Sequence, residues 1–81
     1  MTVKDTSDRR ARSQIAMDEM LAVLRLHGGS CPVDTLVDET NARLPNRWRE
    51  QDAVNYGRGT VFVLEGLGQI KVGSDAIIRL A

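Results

Sequence analysis

The sequence predicts a small α+β domain, mainly α, with three helices followed by a C-terminal β-hairpin. Three observations carry that expectation. Apolar residues recur at helical spacing over Met17–Leu24 and again over Val33–Thr40. The stretch Leu64-Glu65-Gly66-Leu67-Gly68-Gln69-Ile70 reads as a helix end passing into a strand. Gly73-Ser74-Asp75 then forms a tight turn before a second strand, Ala76-Ile77-Ile78-Arg79-Leu80. At 81 residues the chain makes one domain, near the size where a lone core is only marginally sufficient.

The first twelve residues are polar and charged and read as a flexible basic arm, leaving 13–81 as the folded domain. From about Asp8 or Ser13 the pattern turns helical. Met17, Met20, Leu21 and Leu24 share one face, and Asp18, Ala22 and Arg25 line the other. Gly28-Gly29 after His27 stops this first helix, because glycine adopts φ > 0 without strain. Ser30-Cys31 suits a very short strand, and Pro32 suits the first turn of the next helix, where a missing N–H costs nothing. Val33, Leu36, Val37 and Thr40 form that helix's inner face. It ends near Arg43, because Pro45 disfavours helical geometry at Leu44, and Asn46 is positioned as the next N-cap.

Two readings compete for the third helix. In the favoured one, a single helix runs from about Arg47 to Gly66, kinked at Gly57-Arg58-Gly59, and buries Trp48, Val54, Gly57, Val61 and Leu64. In the other, the helix stops near Tyr56 and residues 60–65 form an extra strand. The β-branched and aromatic run Thr60-Val61-Phe62-Val63 favours that version.

From Ile15 to Leu80, the order helix, Gly-Gly, helix, Pro-containing turn, helix and hairpin resembles the winged helix-turn-helix superfamily. The resemblance covers about four-fifths of the chain and points to no particular subfamily. It implies a small DNA-binding protein, such as a transcriptional regulator or a phage- or plasmid-type accessory factor, with its third helix in the major groove and its hairpin as the wing. Carried over by position, the DNA contacts are Arg47, Arg49, Asn55 and Arg58 on that helix, with Lys71 and Arg79 flanking the wing. A homodimer would set two half-sites about one helical turn apart.

Residue chemistry supports part of this. Guanidinium forks suit guanine edges and phosphates, and Arg47 and Arg49 near a helix N-terminus oppose the macrodipole unless an anion arrives. Their bland alternative is a solvated face paired with Glu50 and Asp52. Arg9, Arg10 and Arg12 could track phosphates as an arm, or simply belong to a solubilising tail or to the polar first turn of helix 1. The overall charge argues the other way, since 11 basic residues cancel 11 acidic ones. That neutrality, the acidic Gly73-Ser74-Asp75 tip and the glycines in the third helix point instead to a protein–protein module without DNA binding. Its contacts would be Trp48 and the C-terminal hairpin. Trp48, Tyr56 and Phe62 are otherwise expected to be structural.

Several classes are disfavoured. No apolar run approaches the roughly 18–20 residues that span a bilayer, so no membrane partner is expected. His27 and Cys31 are too few for a structural zinc site and lack the setting of a nucleophile pair. His27 is expected at a helix C-terminus and Cys31 in the core. No carboxylate pair or phosphate loop stands out, so neither enzyme activity nor a cofactor is expected. A single cysteine and no N-terminal apolar segment suit a reducing cytoplasm.

Overall fold

The computed structural model describes residues 11–45, 48 and 56–81. Among these it is α+β and mainly α. The elements are α1 (Arg12–Leu26), β1 (Ser30–Pro32), α2 (Val33–Arg43), α3 (Tyr56–Gly66), β2 (Ile70–Val72) and β3 (Ile77–Leu80).

Helices α1 and α3 end on the same device. Gly28 takes φ +77°, so that its N–H reaches Arg25 O and the Gly29 N–H reaches Leu24 O. Gly68 takes φ +76°, with its N–H on Glu65 O and the Gln69 N–H on Leu64 O. Each pattern is a Schellman cap, which satisfies helix carbonyls and turns the chain into the strand that follows. Residues 60–65 are helical, so the extra-strand reading is overturned. Thr60, Val61 and Leu64 point into the core, and their burial outweighs the strand preference of the run. Whether α3 continues back to Arg47 lies outside the described residues, as do Asn46 and Val54.

The third strand of the sheet comes from Ser30–Pro32. The order is β1-β3-β2, antiparallel throughout, with Cys31 opposite Ile78 and Ile70 opposite Leu80. Pro32 is the N-cap of α2 rather than its first residue. The first α2 amide, on Val33, donates to Ala76 O at 2.9 Å, so the hairpin turn closes the helix N-terminus. Ala76 holds φ +63° to present that carbonyl.

The main core joins all three helices to the sheet through Met20, Val23, Leu24, Leu36, Val37, Val61, Leu64, Ile70 and Ile78, with Cys31 beside them. A second, smaller cluster holds Ala16, Leu44 and Trp48, flanked by Ile15 and Tyr56. The Arg43 Nε–Glu19 Oε1 (2.7 Å) and His27 Nε2–Glu39 Oε1 (2.8 Å) pairs tie α2 to the middle and the end of α1.

Candidate interaction surface on the third helix

Helix α3 is held against α2 by the absence of a side chain. A Cβ at Gly57 would lie 2.9 Å from both Asn41 Oδ1 and Val37 O. The bare backbone instead lets the Gly57 N–H donate to Asn41 Oδ1 at 2.8 Å. Gly57 therefore serves close helix packing, and its cost in helix propensity is offset there.

With Gly57, Thr60, Val61 and Leu64 turned inward, helical geometry sends Gly59, Phe62 and Gly66 to the opposite side. Phe62 is 71% exposed and Val63 44% exposed. Cβ positions at Gly59 and Gly66 meet nothing within 4 Å. Arg58 and Glu65 line one flank of this stripe, and Val63 lines the other. The outer face of α3 is thus an exposed phenylalanine between two bare patches of backbone, with one charged edge and one apolar edge. Phe62 is not the structural aromatic expected of it.

Of the residues anticipated as DNA contacts, the described ones, Arg12, Arg58 and Lys71, lie on three different elements. Arg9, Arg10, Arg47, Arg49 and Asn55 lie outside the described residues. Arg12 is the first residue of α1, where its guanidinium stands 5.1 Å from the Trp48 ring centroid and Nη1 donates to Tyr56 Oη at 3.3 Å. Trp48 is buried and packs on Tyr56 with centroids 5.2 Å apart. It clamps the smaller cluster against α1, so this tryptophan is interior, in keeping with a structural role. Arg58 is exposed on α3 and Lys71 on β2.

On the sheet's outer side Lys71 stands directly opposite Arg79. Arg79 Nη2 also bonds Asp75 Oδ2 at 3.0 Å, and Asp75 Oδ1 accepts the Ile77 N–H at 3.1 Å. The Arg79 hydrogen bond, and then the Ile77 amide, hold the Asp75 carboxyl below its ordinary range; the same pair raises Arg79. Burial, with Glu39 second, pushes the Cys31 thiol up and keeps it neutral. Among the described residues no group of three or more His, Cys, Asp or Glu side chains could hold a metal. No helix among them is long and apolar enough to cross a membrane.

Sequence reasoning missed the α3 outer face because it took Phe62 as structural and the glycines as weakening the helix, although the inner face it chose, Gly57, Val61 and Leu64, already excluded Phe62. A helical wheel anchored on Leu64 would have placed Gly59, Phe62 and Gly66 together on the far side. No protein family, curated protein or solved structure matches the chain.

Proposed function

We propose that this chain is a protein–protein association module of winged-helix type, and that the outer face of α3 is its contact surface. The element order, the β1-β3-β2 sheet and the close α2–α3 pairing are compatible with a winged helix whose wing is the Gly73–Ala76 turn. The observation that carries the reading is Phe62, 71% exposed at the centre of the helix that would otherwise enter a DNA groove. Exposed aromatics are enriched at protein interfaces, where their burial supplies much of the binding energy. Charge supports the same reading. Arg12 rests on Trp48, Arg43 pairs with Glu19 and Arg79 pairs with Asp75.

A second reading, double-stranded DNA, is favoured by one specific observation. Lys71 faces Arg79 across the exposed side of the hairpin, and Asp75 balances only one of these two cations, so an anion there would be stabilising. Its contacts would be Arg47, Arg49, Asn55, Arg58 and Lys71, with Arg9, Arg10 and Arg12 along the backbone.

Titration of the chain into fluorescent duplex DNA at low and moderate salt separates the two. The association reading expects no steeply salt-dependent binding. Binding that falls steeply with salt and is lost in Arg47→Ala with Arg49→Ala would overturn it.

A further inference from the structure

Resting on that association reading, we infer that the partner of the α3 face is a second copy of this chain, docked antiparallel across a two-fold axis beside Phe62. The argument is self-complementarity. A two-fold interface requires one surface to match itself, so each feature must find its complement at the mirrored height along the helix. Arg58 lies four residues before Phe62 and Glu65 three residues after it, on the same flank. At a rise of about 1.5 Å per residue, antiparallel docking brings Arg58 of one copy within about 1.5 Å in height of Glu65 of the other, twice over. On the opposite flank, Val63 meets Val63 of the second copy. The two Phe62 rings meet at the axis in offset contact. Gly59 and Gly66, with no side chains and open space above them, let the helices approach closely enough to bury those rings. Parallel docking keeps Phe62 against Phe62 but sets the charged flank of one copy against the Val63 flank of the other, and so loses both charge pairs and the Val63 contact.

The contact spans an 11-residue helix, roughly 16 Å long, so it is smaller than a standard interface of about 1,600 Å². The dimer is therefore expected to be weak, with a dissociation constant in the range of about 10–100 μM.

Analytical ultracentrifugation of the full chain from about 5 to 500 μM, around that range, tests the inference, with amide NMR to locate the surface. Wild type should pass from monomer to dimer, with concentration-dependent shifts confined to the exposed α3 residues. Phe62→Ser should weaken association at least about tenfold. Gly59→Leu adds a side chain at a position where a Cβ meets nothing within 4 Å, so it should remain folded and still fail to dimerise. Arg58→Glu alone and Glu65→Arg alone should each weaken the dimer, and the two together should restore it. A chain that stays monomeric across this range, or a charge swap that restores nothing, overturns the inference. If DNA binding is also absent, that failure leaves the association reading standing with a different protein partner. Steeply salt-dependent DNA binding overturns the association reading itself.

Discussion

Gly57 and Gly59 are separated by a single residue in one helix and have opposite surroundings. At Gly57 an added methyl group would meet the α2 backbone, whereas at Gly59 it would meet nothing. The inner face of α3 is committed to one close packing solution, and its outer face has none among the described residues. The same residue type is therefore a packing requirement on one side and an open surface on the other. Glycine in a helix can be interpreted only after the helix has been placed against its neighbours.

Substitutions on the two faces should separate in sign as well as size. Leu64→Ala, on the sealed inner face, should cost about 2–5 kcal/mol in urea-induced unfolding, because the truncated side chain leaves a cavity among three helices and the sheet. A loss under about 1 kcal/mol would show that this face is not closed as described. Gly57→Ala should lose about 1–3 kcal/mol despite alanine's better helix propensity, since α2 must shift to admit the methyl group. A neutral or stabilising result would mean that the α2–α3 approach is looser than 2.9 Å implies. Gly59→Ala should instead gain about 0.5–1 kcal/mol, measured at a concentration where the chain is monomeric. Equal effects at positions 57 and 59 would erase the contrast between the faces.

The smallest effect lies in the hairpin. The Asp75 carboxyl is held below its ordinary range by Arg79, so its contribution is present above that range and is lost as pH falls through the lowered value. Carboxyl NMR titration should find Asp75 protonating below an unperturbed aspartate, and Arg79→Ala should return it toward the usual value. An unchanged titration in Arg79→Ala would remove the ion pair from the account of this turn.

Much of this architecture was legible in residue patterns. The glycines after His27 and Leu67 marked two helix ends through their positive φ, and Gly73-Ser74-Asp75 marked the hairpin. Ser30-Cys31 was recognisable as a short strand, although only the register shows that it pairs with β3. Thr60-Val61-Phe62-Val63 was ambiguous for a physical reason. β-branched and aromatic residues favour strands when they pack on a pleated surface, and here Thr60 and Val61 pack on helices instead. The candidate surface was the least legible part. A lone phenylalanine is usually interior, and only the inward commitment of Gly57, Val61 and Leu64 forces Phe62 outward. Arg12 does lie in the first turn of α1, one of the two places the sequence allowed it, but its contacts with Trp48 and Tyr56 join residues far apart in the chain.

The sheet order has a consequence for synthesis. β3 is made after every other described element, yet it lies between β1 and β2 and supplies both of their ladders. A nascent chain can form its helices as they leave the ribosome, but β1 and β2 have no partner until Ile77–Leu80 follow. Through that interval Cys31 and Ile70 wait without Ile78, and the first amide of α2 waits without Ala76 O. Closure of the core therefore waits on the last described strand rather than on the helices upstream, and a chain lacking it leaves apolar surface open to association.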